Sequence, residues 1–263
     1  LTPVSPQPNA SFTSQLVSGP THGQITGSGV NLTYTPAPDF HGADSFTFKV
    51  NDGSHDSNTS TVNITVTEVN DAPSATDDST NTDEDTPLNI SATELTANDA
   101  TGPADESLQT LTVTAVTATA ETHGTVVLNG GIATYTPAAN YHGPASFTYQ
   151  ICDNGTTNGS PDPRCATATV NVTVNPVNDA PSANNQSVST DSNTAKAITL
   201  GGSDLETPTA NLNFVITVNP AHGSLSGTGP NRTYTPALDY SGPDSFKFTV
   251  TDTGDGSAAP LTS

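Results

Sequence analysis

One ordered set of short motifs occurs three times in this chain, and it constrains the fold more than any other feature. Each copy begins with a His-Gly pair, in Thr21-His22-Gly23, Thr122-His123-Gly124 and Ala221-His222-Gly223. Thr-Tyr-Thr-Pro follows, at 33–36, 134–137 and 233–236. Then come Phe40-His41-Gly42, Tyr141-His142-Gly143 and Tyr240-Ser241-Gly242, and after them Asp44-Ser45-Phe46, Ala145-Ser146-Phe147 and Asp244-Ser245-Phe246. The tyrosines stand at 34, 135 and 234, so the copies are 101 and 99 residues apart (135 − 34 and 234 − 135). Self-similarity at a fixed spacing is the mark of a domain array.

Within each copy, apolar residues alternate with polar ones. Phe46, Phe48 and Val50 form one such run, matched by Phe147, Tyr149 and Ile151 and by Phe246, Phe248 and Val250. Val62, Ile64 and Val66 form a last strand in the first copy, and Val170, Val172 and Val174 in the second. Period-two alternation buries one face of a strand, and Thr, Val and Ile suit strands. No segment carries a helical stripe. Roughly seven short strands per hundred residues predict an immunoglobulin-like sandwich. The fold class is therefore all-β, with tandem sandwiches in a linear rod. The expected domains are 1–70 (N-terminally incomplete), 71–178 (complete) and 179–263 (C-terminally incomplete). The first begins near its third strand, at 11–17; the last stops where its final strand should begin. Truncation explains both ends, and so does strand addition between identical chains in a filament.

Composition narrows the function classes. The chain has 26 acidic and 5 basic residues, a formal charge of −21. Such a field repels nucleic acid and anionic membrane surfaces, and attracts cations. Low hydrophobicity with high charge is also the signature of disorder, but the regular strand patterns argue against it. No apolar run approaches the ~20 residues of a membrane helix, and no secretory signal opens the sequence. The expectation is a fragment of a longer secreted, cell-surface chain.

Between copies lies Val-Asn-Asp-Ala-Pro, at Val69–Pro73 and Val177–Pro181. Pro73 and Pro181 stiffen segments on which Asn70, Asp71, Asn178 and Asp179 offer oxygen atoms. Stiff, oxygen-rich linkers between β-domains point to calcium.

The ordered motifs together resemble the cadherin-like tandem repeats of large bacterial surface adhesins, over essentially the whole chain. That resemblance implies extracellular stalks or adhesins with calcium at domain junctions, and leaves the ligand at the tip unspecified. The family linker is Asp-x-Asn-Asp-Asn. Glu68-Val69-Asn70-Asp71-Ala72 is similar but departs at its first and last positions, and Pro176-Val177-Asn178-Asp179-Ala180 lacks the first acid. The family's Asp after the penultimate strand matches Asp52, Asp153 and Asp252. Its Asp-x-Asp loop matches Asp204-Leu205-Glu206; the equivalent in the second copy runs from Asn98-Asp99 through Asp105-Glu106 and is longer, with Asp99 and Asp105 as its candidate ligands. Its first-strand Glu matches Glu84, whereas the third copy has only the Asp191 region. On this reading Glu68, Asn70, Asp71 and Glu84 serve the first junction, beside Asp77, Asp78, Asp83 and Asp85. Asp153, Asn178, Asp179, Asp204 and Glu206 serve the second, which should then bind calcium more weakly.

Cys152 and Cys165, the only cysteines, flank the loop 153–164 between two predicted strands, a disulfide arrangement. The His-Gly histidines recur in every copy, which points to structure rather than catalysis. No constellation of nucleophile and base is special to one place, so the chain reads as a non-enzyme. An accessory carbohydrate-binding array of a secreted enzyme is the rival reading, disfavoured by the absence of Trp.

Overall fold

The structure is a computed structural model that describes residues 12–254 and 258–263. The start of the expected first domain, including Ser11 at the head of the strand expected at 11–17, lies outside the described residues. The described chain divides into two compact units. One holds the described residues up to Thr80 with Pro87–Thr136 and Ala145–Val172; the other holds Asn81–Thr86, Pro137–Pro144 and Thr173–Ser263.

The middle repeat is a seven-stranded sandwich. Asp78–Asp83, Cys165–Asn175, Gly143–Cys152 and Thr112–Ala118 lie in that order in one sheet. Leu88–Ser91, Ile132–Pro137 and Gly124–Asn129 form the other. The alternation read from sequence has its cause here: Tyr135, Phe147, Tyr149, Ile151, Val170 and Val172 are at most 2% exposed. Each such side chain contributes about 1.5–3 kcal/mol by leaving water. Among the described residues, three short helical turns depart from the all-strand expectation, two of them the 3-10 turns Ala104–Glu106 and Thr209–Asn211. The third, Ala92–Leu95, is a single helical turn, too short to show a stripe, closed by a capping box between Ser91 and Glu94.

The flanking repeats reuse the same parts. In the first, Thr13–Ser18 and Ser60–Val66 pair antiparallel on either side of Gly42–Asn51, and Gly23–Ser28 forms a hairpin with Asn31–Pro36. In the third, Asn213–Val218 pairs with Lys247–Thr251, and Lys196–Thr199 and Gly223–Ser226 flank Asn231–Pro236. The same register shift recurs at Leu16/Ser18 and at Ile216/Val218. The third repeat buries Ile198, Leu200, Leu212, Phe214 and Val250. In the first, Phe46 alone is buried among the described apolar residues.

The repeated motifs close one corner of each sandwich. Asp44 accepts N–H bonds from Thr21 (3.0 Å), His22 (3.0 Å) and Ser45 (2.8 Å), and the Tyr34 hydroxyl donates to it at 3.0 Å. Asp244 repeats this with Ala221, His222, Ser245 and Tyr234. Burial alone would raise these two carboxyl pKa values, but the hydrogen bonds outweigh it and hold both below the ordinary 3.8. His22 stacks on Phe40 and His222 on Tyr240, each with ring centroids 4.3 Å apart. The middle repeat has Ala145 at the Asp position and closes the corner differently. Tyr135 donates to the Thr122 carbonyl (2.9 Å), and the buried Thr122 hydroxyl donates to the Ser146 carbonyl (2.7 Å). The glycine of His-Gly is needed for space rather than for a left-handed turn: a Cβ on Gly23 or Gly223 would collide with the ring of Tyr34 or Tyr234. Gly23→Ala should therefore cost about 1–3 kcal/mol by overpacking. Gly19→Ala, which meets only Leu16 at 3.9 Å, should be near neutral; urea unfolding of the two variants makes the comparison.

Candidate metal centres at the two linkers

In the first linker the Asn70 side chain is 3% exposed. Its amide nitrogen donates to Asp153 Oδ1 (2.9 Å) and to the Asp162 carbonyl (2.8 Å), and its Oδ1 accepts from Gln109 (2.8 Å). Its backbone N–H donates to the Thr157 hydroxyl (3.0 Å). The next residue, Asp71, donates its N–H to Glu106 Oε1 at 2.7 Å. Asp153 is fixed in turn by the N–H groups of Gly155 (3.0 Å) and Arg164 (2.9 Å). A Cβ on Gly155 would overlap the Asn70 amide, and one on Gly102 would overlap the Glu106 carboxylate. A cleft of about 260 Å³ beside the linker is lined by His41, Glu68, Asp105, Glu106, Gln109 and Asn154, among others. His41 Nδ1 stands 3.4 Å from Asp105.

The second linker follows the same plan. Asn178 is 7% exposed and donates to Asp252 Oδ2 (3.1 Å) and the Ala259 carbonyl (3.3 Å). Asp179 donates its N–H to Glu206 (3.2 Å), and Val177 donates to Glu84 Oε1 (2.7 Å). Asp204 caps its own loop through the N–H groups of Glu206 (3.2 Å) and Thr207 (2.6 Å). Asp252 takes the N–H groups of Gly254 and Leu261; these and Asn178 outweigh burial and hold its pKa below 3.8.

These anchors leave buried oxygens with no hydrogen-bond partner: Glu106 Oε2, Asp153 Oδ2 and Gln109 Oε1 at the first linker, and Glu84 Oε2, Asn178 Oδ1 and Asp204 Oδ2 at the second. His142 Nδ1 lies 3.8 Å from Glu84 Oε2. Burial pushes the Glu106 pKa up, and the neighbouring charges of Asp71, Asp105 and Asp153 add to the effect against the Asp71 N–H. Glu206 is raised by burial and by Asp179 and Asp204.

Family comparison decides what these repeats are. Residues 69–175 match the cadherin-like domain, and residues 4–65 and 178–262, together more than half of the chain, match the bacterial Ig domain. This chain belongs to the bacterial Ig-domain family. Its middle repeat is of the cadherin-like type, a non-enzymatic domain family, and domains of both types are typically extracellular. Among solved structures, human CDH23 EC21-23 is 15% identical with a TM-score of 0.51, over 97% of this chain and 88% of that one. Protocadherin Gamma B2 extracellular cadherin domains 1-5 is 14% identical with a TM-score of 0.54, over 97% and 52%. The shared fold is that of cadherin domains. No curated protein matches the sequence. No helix among the described residues is long and apolar enough to cross a membrane.

With the Ig-domain repeats in place, two of the expected ligands change junction. Glu84 was expected at the first linker but accepts from Val177 in the second. Asp153 was expected at the second but holds Asn70 in the first. The physical reason is that the first strand of a repeat ends beside the linker that leaves it, whereas the turn after its penultimate strand receives the linker that enters. Glu68, Asp71, Asp105, Glu106 and Asp153 therefore surround the first linker, and Glu84, Asp179, Asp204, Glu206 and Asp252 the second, while Asp77, Asp78, Asp83 and Asp85, expected beside the first, accept from Thr169, Asn98, Asn175 and Asn140 of the middle repeat. Asp52 accepts from Ser54 (3.0 Å) and His55 (2.9 Å) in the turn after Gly42–Asn51. Asp99 takes the Tyr149 hydroxyl (3.1 Å) and the Thr76 N–H (2.8 Å), contacts separate from those of Asn70. Sequence reasoning missed Gln109 and passed over Glu106 in favour of Asp99 and Asp105. The signal was Glu206, whose bond to the following linker residue Glu106 reproduces.

Raised glutamate pKa values have a definite sign. A carboxyl whose folded pKa lies above the ordinary 4.5 contributes stability that is full below 4.5 and is lost as pH rises through the folded value. Chelated protein should therefore become more stable as pH falls from 7 toward 4.5. Below 3.8 the trend should reverse, as Asp44, Asp244 and Asp252, whose pKa values are lowered, take up protons. Urea unfolding across this range checks both limbs. Glu106→Gln with Glu206→Gln should flatten the upper limb and leave the lower one.

Proposed function

We propose that the chain is a segment of an extracellular stalk or adhesin whose repeats are joined and stiffened by calcium at the two Val-Asn-Asp-Ala-Pro linkers. The observation that carries this reading is the set of buried, unpartnered oxygens at each linker. An uncompensated buried carboxylate is costly. The lysine and arginine ion pairs of the described residues, Lys49–Asp56 and Arg164–Asp162, leave Glu84, Glu106, Asp153 and Asp204 without a lysine or arginine partner, and Glu84 has only the His142 imidazole, 3.8 Å away. The donors are oxygens, as a hard divalent cation requires. At the first linker Glu68, Asp71, Asp105, Glu106 and Asp153 would hold the ion, and at the second Glu84, Asp179, Asp204, Glu206 and Asp252. Among the described residues no three His, Cys, Asp or Glu side chains already stand in metal-holding geometry, so binding would draw the carboxylates inward.

When bound, calcium supplies the positive charge that these residues lack. The rest of the work belongs to the chain. Asn70 and Asn178 seat each linker, Glu106 and Glu206 hold the following aspartate backbone, and Glu84 grips the exit of the middle repeat. Ligands contributed by both sides of a linker restrict its angles.

Calorimetry should show two sites of affinity within about tenfold of each other, given similar carboxylate sets. Glu106→Gln and Glu206→Gln should each weaken one site by about tenfold or more. Small-angle scattering should give a larger maximum dimension with calcium than with chelator. An unchanged dimension across saturating calcium would refute stiffening.

A further inference from the structure

We infer that the Cys152–Cys165 disulfide is a latch for the first linker, which makes that linker, and not the second, sensitive to thiol reductants. The bond joins the end of Gly143–Cys152 to the start of Cys165–Asn175. The loop it closes, 153–164, is the receptor for Asn70. Asp153 accepts the Asn70 amide, the Asp162 carbonyl accepts it a second time, and the Thr157 hydroxyl accepts the Asn70 N–H. Gly155 leaves the space that the Asn70 amide fills. The loop is braced internally: Thr157 and Arg164 both donate to Asp162 Oδ2, at 2.7 Å and 2.9 Å, and Asp162 donates its N–H to the Gly155 carbonyl at 3.0 Å. Three of the four hydrogen bonds of Asn70 thus end on residues held between the two cysteines.

The second linker has no such clasp. Asn178 is received by Asp252 and the Ala259 carbonyl, in a turn without cysteine. Two receptors of the same plan differ in one covalent bond. Removing it widens the conformations open to a 12-residue loop. Cys165 is exposed and Cys152 half-buried, so a reductant can reach the bond from the Cys165 side. A thiolate of a dithiol attacks Cys165 Sγ, the S–S bond breaks, and Cys152 leaves as a thiolate that takes a proton. The second thiol of the reductant closes on the mixed disulfide and releases Cys165. The two electrons gained by the cysteines come from the dithiol, which ends as a cyclic disulfide.

The test is hydrogen exchange with mass spectrometry on the full chain, oxidised and after dithiothreitol, with chelator present throughout so that the result is independent of calcium. Reduction should speed exchange of the Asn70 amide by about tenfold or more, while the Val177 and Asp179 amides stay unchanged. A doubly substituted Cys152→Ser, Cys165→Ser protein should match the reduced state. Unchanged exchange at Asn70 with both thiols shown free by alkylation would overturn the latch. So would loss of protection at Phe147–Ile151, since the bond would then be holding the sandwich rather than the linker.

Discussion

A buried asparagine amide at each linker is the contact on which the other features depend. Asn70 and Asn178 cross into the turn of the repeat that follows and satisfy their donors on an aspartate and a backbone carbonyl. A buried amide costs free energy unless it is hydrogen-bonded, so the linker has one low-energy seat. That seat brings the N–H of the next residue, Asp71 or Asp179, against a glutamate. Carboxylates from separate stretches then gather around each linker, with Glu106 and Asp153 buried at the first and Glu84 and Asp252 at the second. One oxygen each of Glu106 and Asp153 at the first linker, and of Glu84 and Asp204 at the second, remains unpartnered, and Glu106 and Glu206 are harder to ionise than usual. The charge demand at the linkers follows from where the asparagine sits.

Much of the fold was legible because its signals are local. Alternating Phe147, Tyr149 and Ile151 reads as one buried face, and it is. Cys152 and Cys165 stand at the ends of adjacent strands, and they are bonded. The His-Gly and Tyr-Thr-Pro motifs recur because they build one corner, although the reason for the glycine, contact with a tyrosine ring, is visible only in three dimensions.

The candidate site was less legible because its partners are distant in sequence. Glu84 meets Val177 and Asn70 meets Asp153 only after a whole sandwich has closed between them. Assigning acids to the nearer linker therefore exchanged Glu84 with Asp153. Asp105 and Glu68 do line the first cleft, whereas Asp99 is held by Tyr149 inside the middle repeat. Glu106 was obscured by the longer loop of that repeat, which shifts it out of register with Glu206.

The corner built around Asp44, Thr122 and Asp244 also bears on how tandem copies avoid confusing themselves. Neighbouring domains of similar sequence are prone to exchange strands during folding. Were the strand bearing Ala145 to dock in the first repeat, the Tyr34 hydroxyl and the amides of Thr21 and His22 would lose their acceptor. Each such hydrogen bond to a charged carboxylate contributes about 1.5–3 kcal/mol, which the exchanged pairing would forfeit. The reverse exchange would bring Asp44 to a corner already closed by Thr122 and Ser146. Alternating two incompatible ways of closing the same corner gives adjacent repeats a local means of telling self from neighbour.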